Sequence, residues 1–514
     1  MCYNTGTVGT RAGRGWSFFR QSENSSIAVC FPANDIVSGQ RGIAAWKICG
    51  KAVKKRRRNP IMKKALAVVL AVMMLLGCVS IASAEDAKIK LNVWSFTNEL
   101  QGMIEKYYAP NHPEIEFDFQ IYPTDGSAYT TKVDTTLGAN ATSDDAPDIF
   151  TLEAAFVKHY VESDFTGDLK DIGFTDEELA VAFPVMAQIG QNSAGVQKGL
   201  SWQSTPGVLM YRADLAEKYL GVTTPEEFQA KVDDWDAFLD TARELKEASE
   251  GACKMVVGSG DIWNAYQYQR AEGWIVDGKL NIDDELLDFE ELCKTLEQDD
   301  LTHKGGAWSE VWFAGMRGEL ETLCYFLPTW GLHYTLKPHC AEGWDDQKSD
   351  EDNLAALGDN TGTYGLWRLT DGPVAYSWGG TWMGINAAKA AEADDAKKAA
   401  MHDLIYFFTL NDDFLTQYAP DSGDFVGSAK AVETILANGG TPNPFLGGQD
   451  HYAIFSKAAA LANGALMSEY DDTINDLWNK NVTLPYTQDG ADLDECLANF
   501  KTAVAAAIAD ITVE

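Results

Sequence analysis

Basic side chains are scarce in this sequence. Its 514 residues include 41 Lys and Arg against 76 Asp and Glu, which gives a formal net charge of -35. The imbalance lies after residue 84, where 28 basic and 74 acidic side chains are found. Nucleic-acid backbones are bound mainly through Lys and Arg, and an acidic surface repels them. The composition therefore argues against a nucleic-acid partner and predicts a soluble, acidic body.

Closely spaced cysteines are also missing. The five cysteines that follow residue 84 form an odd and widely separated set. They lack the spacing of a disulfide framework or of a zinc site, so at most two bridges could form. A chain of this length can bury a core without such cross-links. The five are Cys253, Cys293, Cys324, Cys340 and Cys496.

Catalytic motifs with a recognisable spacing are absent. The sequence has no HExxH, no GxSxG, no phosphate-binding loop and no GxGxxG. Its seven histidines are scattered, and its acidic runs lack the glycine and terminal glutamate of a calcium-binding loop. We therefore expect a protein that is not an enzyme, with no catalytic residues, no metal site and no cofactor.

Only one long apolar run is present. From Met62 the chain reads MKKALAVVLAVMMLLGCVSIASA, with two lysines, an apolar stretch over 65–81 and small residues at 82–84. This layout is typical of a secretory signal, so residues 62–84 are predicted to be a signal peptide and the protein to be extracytoplasmic. A buried or membrane-spanning helix is the alternative interpretation. Met62 is then expected to be the true start, with 1–61 an upstream extension or disordered.

The end of the apolar run allows two modes of export. Leu75-Leu76-Gly77-Cys78 resembles a lipobox, in which the cysteine becomes the acylated first residue. Ala82-Ser83-Ala84 is instead a good cleavage site for release. Both modes remain open. A lipid on Cys78 would tether the body to the membrane without a spanning helix.

Strand and helix patterns alternate in the body of the chain. Apolar strands are predicted over 89–96, 115–121 and 148–151, with helices between them. This rhythm is typical of an α/β fold with a mainly parallel sheet. Side chains just beyond the carboxyl ends of such strands face a ligand crevice. The acidic stretch 342–360 is predicted to be an exposed loop.

A series of short motifs, in order along 88–514, resembles one protein family. They are Trp94 in the opening strand, PDIF at 147–150, GVLMYRADL at 207–215, WDAF at 235–238, LPTW at 327–330 and GGTWMGIN at 379–386. Together they are similar to the extracellular solute-binding proteins of carbohydrate importers driven by ATP-binding-cassette (ABC) permeases, the group that includes maltose-binding protein. Arg212 departs from the family's usual Asn, and 342–360 is longer and more acidic than expected. These departures put direct transfer of a known sugar preference in doubt.

The resemblance implies a two-lobed, type II periplasmic-binding-protein-like fold with the ligand cleft between the lobes. Lobe 1 is expected to contain 85–204 and 370–426, and lobe 2 to contain 205–369 and 427–514. The chain is expected to cross between lobes near 203–207, 367–373 and 426–431. The implied protein is a monomer that binds a carbohydrate and delivers it to a membrane ABC permease.

A sugar-binding site needs flat aromatic platforms with carboxylates and amides at their edges, because a sugar has apolar faces ringed by hydroxyls. The chain after residue 84 has 13 tryptophans. For each tryptophan the alternative is packing in the core, and for each acidic residue it is the solvated surface. The resemblance places in the ligand site Asn98, Glu99, Glu153, Trp202, Gln203, Asp261, Trp263, Trp330, Trp378, Gly380 and Trp382.

Two other functions remain open at this point. A secreted glycoside hydrolase also combines tryptophan platforms with paired carboxylates. The same fold could instead bind a polyamine, a peptide or a metal chelate. Turnover of an oligosaccharide would favour the first alternative, and binding of a non-sugar solute alone would favour the second.

Overall fold

The computed structural model describes residues 88–514. The predicted signal peptide, the upstream extension and Cys78 lie outside this part. Within 88–514, no helix is both long and apolar enough to cross a membrane.

The strands form two main sheets and two short hairpins. In chain order they are β1 (Ile89–Ser95), β2 (Ile115–Ile121), β3 (Ile149–Glu153), β4 (Gly199–Ser201), β5 (Pro206–Arg212), β6 (Ile275–Val276), β7 (Lys279–Leu280), β8 (Cys324–Pro328), β9 (Trp367–Thr370), β10 (Tyr376–Ser377), β11 (Thr381–Ile385), β12 (Pro442–Asn443) and β13 (Gln449–Asp450).

Helices surround both sheets. They are α1 (Glu99–Met103), α2 (Ala128–Asn140), α3 (Val157–Glu162), α4 (Asp176–Leu179), α5 (Pro184–Ile189), α6 (Ala213–Leu220), α7 (Pro225–Gln229), α8 (Trp235–Ala248), α9 (Trp263–Tyr266), α10 (Asp284–Gln298), α11 (Glu310–Arg317), α12 (Thr329–Gly331), α13 (Asp350–Leu357), α14 (Ala387–Glu392), α15 (Asp395–Thr409), α16 (Asp412–Ser422), α17 (Ala429–Ala437), α18 (His451–Leu461), α19 (Asp471–Trp478) and α20 (Leu493–Ala507).

The first sheet has the strand order β2-β1-β3-β11-β4. β1 pairs in parallel with β2 and with β3, as the alternating sequence pattern predicts. β11 comes from much later in the chain and pairs antiparallel with β3 and β4. The last residue of β3, Glu153, therefore lies opposite Thr381, the first residue of β11.

The second sheet is built around β5. β8, β9 and β10 all pair antiparallel with it, and all seven residues of β5 are buried. This complete burial explains the apolar sequence of the strand, because neither face meets solvent. Arg212 ends the strand and binds Asp214, with Nε to Oδ1 at 2.7 Å and Nη2 to Oδ2 at 2.6 Å.

Two chain segments pass side by side from one sheet to the other. The first joins β4 to β5, and the second joins β10 to β11. They are hydrogen-bonded together, since Thr205 Oγ1 donates to the Gly379 carbonyl at 2.8 Å and Trp378 N donates to the Thr205 carbonyl at 3.0 Å. An isolated bridge between Gln203 and Val426 adds a third segment at this place.

The second crossing differs from the sequence-based expectation. Residues 367–373 were expected to cross, but β9 and β10 both belong to the second sheet. Gly372 and Pro373 form part of the connection between these two strands. The change of sheet occurs after Ser377, whereas the expected lobe boundary lies at residue 370.

Three apolar cores hold the molecule together. The first surrounds the first sheet and continues to part of β5 and β8, and the second packs α6, α8 and α10 against the other face of the second sheet. The third lies between residues 274–286 and the C-terminal helices. Its buried residues are Trp274, Leu286, Ile474, Trp478, Val482, Tyr486, Cys496, Phe500, Val504 and Ile508.

Two smaller expectations can be compared with the structure. The stretch 342–360 is not wholly a loop, because it contains α13, which begins after the capping residue Ser349.

The five cysteines after residue 84 are all buried with free thiols. Burial raises the pKa of Cys340 to about 12, which keeps that thiol protonated and unreactive.

Candidate functional site

A pocket of about 230 Å³ opens between the two sheets. Glu153 at the end of β3 contributes from the first sheet, and Ser377 in β10 contributes from the second. The crossing residues Trp378 and Gly379 lie between them. Further lining residues come from α3, from 264–274 and from 466–475.

Glu153, the last residue of β3, is held beside the pocket. Its Oε2 accepts a hydrogen bond from the Ala155 amide at 2.9 Å. Burial raises the pKa of its carboxyl, because few waters solvate the charge. The neighbouring Ala154 amide donates to the Gly380 carbonyl at 3.1 Å, so the crossing fixes this turn.

The two buried cations of the pocket are held by other protein groups. Lys158 Nζ donates to the Gln191 carbonyl at 2.8 Å. Arg270 Nε donates to Asp283 at 2.8 Å, and its guanidinium lies over the Trp274 ring, 4.4 Å from the ring centroid. Carboxyls are more numerous in the lining, namely Glu153, Glu469, Asp471 and Asp472.

Asp471 is the most strongly perturbed of these carboxyls. Burial raises its pKa to about 6, against the opposing effects of hydrogen bonds from Ser468 and the charges of Arg270 and Lys158. Hydrogen-bond acceptors thus exceed free cations in the pocket, an arrangement that suits a ligand rich in hydroxyl donors.

An aromatic row extends from the pocket along the side of the second sheet. We use this name for Trp378, Trp330 and Trp308. Trp330 meets Trp378 edge-on at 5.1 Å between ring centroids and donates its Nε1 hydrogen to the Trp378 carbonyl at 2.7 Å. Trp308 stacks on Trp330 at 5.9 Å with an interplanar angle of 8°. Trp378 and Trp330 are half-buried, whereas Trp308 is 54% exposed.

Acidic groups lie beside Tyr334, one helical turn after Trp330. Tyr334 is 65% exposed, and its charged neighbours are Asp424 and Glu99. Burial, and then the charge of Asp424, raise the pKa of Glu99 to about 7. Asp424 Oδ2 accepts a hydrogen bond from the Tyr418 hydroxyl at 2.8 Å. Glu99 follows β1 and Asp424 precedes the Val426 bridge, so these acids lie on the side of the first sheet.

Two predicted tryptophans are core residues in this structure. Trp202 is 1% exposed and Trp382 is fully buried. The Trp382 Nε1 hydrogen is donated to the Met186 carbonyl at 2.9 Å. The Trp202 Nε1 has no acceptor within direct hydrogen-bonding distance, yet it lies close enough to Glu99 to favour the charged carboxylate. Neither ring offers a free face to a ligand.

Asp261 and Trp263, at the start of α9, pack into the protein on the side of the second sheet. Trp263 lies against Phe289 at 4.9 Å and Trp274 at 6.1 Å, and it does not line the pocket. Asp261 is 8% exposed, and neither carboxylate oxygen has a direct hydrogen-bond partner. Burial raises the pKa of Asp261 to about 7.

The other predicted residues lie at the edges of the site. Asn98 occupies the N-cap position of α1, but its side chain makes no capping hydrogen bond and is exposed. Gln203 is half-buried in the first crossing. Gly380 has φ +117°, and a Cβ there would lie 2.8 Å from Met186 Cε and 2.9 Å from the Trp382 ring. Only glycine fits this conformation and this space.

Sequence reasoning missed Trp308, Tyr334 and Asp424. Each had a weak signal: Trp308 follows a Gly-Gly pair, Tyr334 is spaced one helical turn from Trp330, and Asp424 follows Gly423 near the third crossing. The distance of Asp424 from Glu99 along the sequence hides their proximity. Among residues 88–514, no three His, Cys, Asp or Glu side chains are grouped so that they could hold a metal ion.

Comparisons with known proteins agree with this architecture. Residues 94–288 match the family model described as bacterial extracellular solute-binding protein. A crystal structure of an extracellular solute-binding protein family 1 member is 17% identical with a TM-score of 0.66, covering 81% of this chain and 99% of that one. A search of curated protein sequences gives no significant match.

Two sugar-binding proteins have the same fold. The sugar-binding protein MalE from the phytopathogen Xanthomonas citri is 15% identical with a TM-score of 0.60, covering 81% of this chain and 96% of that one. The galacto-N-biose/lacto-N-biose I-binding protein of the ABC transporter from Bifidobacterium longum is 16% identical with a TM-score of 0.59, covering 83% and 99%. The resemblance inferred from the sequence and the two-domain α/β fold are confirmed.

Proposed function

We propose that this chain, with the fold of the extracellular solute-binding proteins, captures a sugar or oligosaccharide and delivers it to an ABC-type import permease. The observation that carries this proposal is the aromatic row, which runs out of a pocket rich in carboxyls. Indole faces match the apolar faces of sugar rings, and carboxylates accept hydrogen bonds from their hydroxyls. Proteins of similar structure bind β-1,6-galactobiose, lacto-N-biose and cyclic α-maltosyl-1,6-maltose.

The mechanism is closure of the two halves around the ligand. Glu153 and Glu99 come from the first sheet side, whereas Trp330 and Tyr334 come from the second. A ligand that contacts both sets binds the closed form better than the open form, and so shifts the population toward closure. The crossings, joined through Thr205, provide the axis of this movement. The ligand is released chemically unaltered.

The setting proposed for this function is extracytoplasmic. The signal-like segment 62–84 supports export, and the family description of 94–288 is that of an extracellular protein. We propose a monomer, either released after Ala84 or anchored by lipid on Cys78. Intact mass of the exported protein separates these two forms, because acylation adds a lipid mass and leaves 79–84 in place.

A thermal-shift screen over mono- and oligosaccharides tests the proposed function. A binding sugar is expected to raise the melting temperature, since a ligand that binds only the folded state stabilises it. Calorimetry should then give saturable binding, and chromatography after long incubation should recover the sugar intact. Polyamines and peptides serve as the comparison set.

Two results would contradict the proposal in different ways. Hydrolysis of an oligosaccharide would indicate the glycoside hydrolase alternative, with two cleft carboxyls as acid and nucleophile or base. A stabilising effect of a non-sugar solute, with none from any sugar, would retain the importer role but overturn the ligand class.

A further inference from the structure

We propose that residues 304–309 form a mobile flap that presents Trp308 as an outer stacking platform, so that the site takes a carbohydrate of at least two rings. This inference rests on the proposed function and adds the size of the ligand and a residue that selects for it. We call residues 304–309 the flap. It precedes α11 and follows the buried Thr302.

The backbone of the flap is strained at both ends. Lys304 has φ +58° and Trp308 has φ +67°. This region is uncommon for residues other than glycine, and for a bulky residue such as tryptophan it is an outlier. Strain of this kind persists where the surrounding structure imposes it, and it is concentrated at ligand clamps and switch segments. The Trp308 ring is also 54% exposed, although solvent exposure of so large an apolar group is unfavourable.

The two glycines of the flap have different surroundings. The Gly305 amide donates to the Val257 carbonyl at 3.1 Å, and a Cβ at Gly305 would lie 2.8 Å from Val257 Cγ1. A Cβ at Gly306 would meet nothing within 4 Å. Gly305 therefore fixes the base of the flap, and Gly306 faces open space. At the other end, Ser309 Oγ accepts from the Trp312 amide at 3.3 Å and begins α11.

A buried acid lies beneath the flap. The amides of Ala307 and Gly258 are the donors that lower the pKa of Asp261 against the larger effect of its burial. Through these two amides, Gly258 and the flap residue Ala307 favour the charged form of a carboxylate that is otherwise buried. Asp261 is thus a positioning residue for the flap.

Trp308 continues the surface that begins in the pocket. Trp378 lines the pocket, Trp330 packs against Trp378, and Trp308 stacks on Trp330. A sugar ring in the pocket reaches Trp378, and a second ring linked to it reaches the outer indole. On the protein side, the Trp308 ring contacts Trp330, Trp312 and Phe313, and the rest of the side chain faces solvent.

The test compares sugars of increasing length. Wild type, Trp308→Ala and Trp344→Ala are titrated by calorimetry with glucose, maltose and maltotriose, and with galactose and β-1,6-galactobiose. Trp344 is the matched control, a half-buried tryptophan stacked on Tyr364 at 5.5 Å and absent from the pocket. Trp308→Ala is expected to weaken the binding of the di- and trisaccharide about tenfold and that of the monosaccharide less than twofold. Trp344→Ala should change neither.

An equal loss for monosaccharide and oligosaccharide, or no loss for either, would overturn the assignment of Trp308. If wild type binds neither these sugars nor any other sugar of the thermal-shift screen, the proposed sugar-binding function fails, and this inference fails with it. The flap is judged separately by hydrogen exchange of the ligand-free protein. The amides of Ala307 and Trp308 should exchange much faster than those of α11, and Gly306→Ala should slow them. Equal protection of the flap and of α11 would overturn its mobility.

Discussion

Trp330 connects the pocket with the outer part of the aromatic row. Its indole hydrogen is donated to the Trp378 carbonyl, its edge meets Trp378, and one face is parallel to Trp308. Three contacts from one side chain fix the ring without burying it. A fixed, half-exposed ring binds a sugar without the entropic cost of ordering it first.

Replacing Trp330 by Ala is expected to weaken sugar binding about tenfold, a loss of about 1.4 kcal/mol. The lost free energy corresponds to the stacking contact on an ordered aromatic ring. Calorimetry with the sugar found in the screen measures the affinity, and Trp344→Ala is the control. Unchanged affinity, with an unchanged melting temperature, would remove Trp330 from the site.

Glu290 shows how a charged residue can belong wholly to the core. It is fully buried in α10, and its Oε1 accepts from Trp478 Nε1 at 2.7 Å and from Thr483 Oγ1 at 2.6 Å. Its Oε2 has no partner. Burial raises its pKa from 4.5 to about 7, with the two hydrogen bonds opposing the shift. The carboxyl is therefore stabilised in its neutral form.

Because the folded-state pKa of Glu290 is raised, its contribution to stability is full below pH 4.5 and is lost as pH rises through 7. Glu290→Gln keeps the acceptor oxygen and removes the titration. We expect the variant to match wild type near pH 4 and to exceed its free energy of unfolding above pH 8, by an amount of up to about 3 kcal/mol. Urea unfolding at both pH values measures this, and a difference independent of pH would contradict it.

At the scale of one residue, the sequence separates platform from core tryptophans only in part. Trp378 lines the pocket and Trp330 packs against it, whereas Trp202 and Trp382 pack inward although they stand in equally suggestive motifs. Which face of a strand meets the core depends on the pairing of β11 with β3 and β4, which is a long-range contact. The Gly-Gly pair before Trp308 indicates a turn, but it does not reveal that the indole ring is exposed.

Among the elements, the second crossing is tightly constrained. Gly379 and Gly380 both have positive φ, at +89° and +117°, and side chains crowd both positions. A Cβ at Gly379 would lie 2.6 Å from Trp330 Nε1. The crossing thus brings backbone close to the aromatic row and to the core at the same time.

Gly380→Ala is expected to destabilise the protein by about 3 kcal/mol, because it combines an unfavourable φ with a clash against Met186 and Trp382. Gly221→Ala is the matched control: its φ is +67° but a Cβ would meet nothing within 4 Å. That variant should lose only about 1 kcal/mol from the backbone term. Urea denaturation gives both values, and equal losses would show that crowding at Gly380 has no effect.

It was easier to predict from the sequence where strands occur than which strands pair with each other. β1, β2 and β3 follow from alternating or continuous apolar residues, and their parallel order follows from the helices between them. The crossing after β10 was misplaced, because Gly372 and Pro373 have the composition of a hinge yet only connect two strands of one sheet. The capping serine and acidic first turn of a short helix such as α13 are likewise hard to see within a polar stretch.

For the whole molecule, closure should be visible in solution scattering. A compact chain of about 430 residues, the length that follows residue 84, has a radius of gyration of about 22 Å. We expect the open, ligand-free protein to exceed that value and to become smaller when a saturating oligosaccharide is added. Scattering profiles with and without the sugar measure the change. Identical profiles at saturation would contradict a closing mechanism.

The whole-molecule architecture was predictable because the resemblance supplied it. The two sheets and their shared cleft agree with that expectation. The third core was not foreseen, since the amphipathic α20 indicates a buried face without naming its partner. Its partners at Trp274 and Leu286 are distant in sequence, and only the folded structure brings them together.

The placement of β11 has a consequence for how the chain acquires its shape during synthesis. A polypeptide is made from its N-terminal end, so β3 and β4 emerge long before the strand that joins them. Until Thr381–Ile385 arrives, both have an open edge, and open edges invite pairing with other chains. The first sheet can therefore be completed only after the strands of the second have been made, and its edges need protection from aggregation until then.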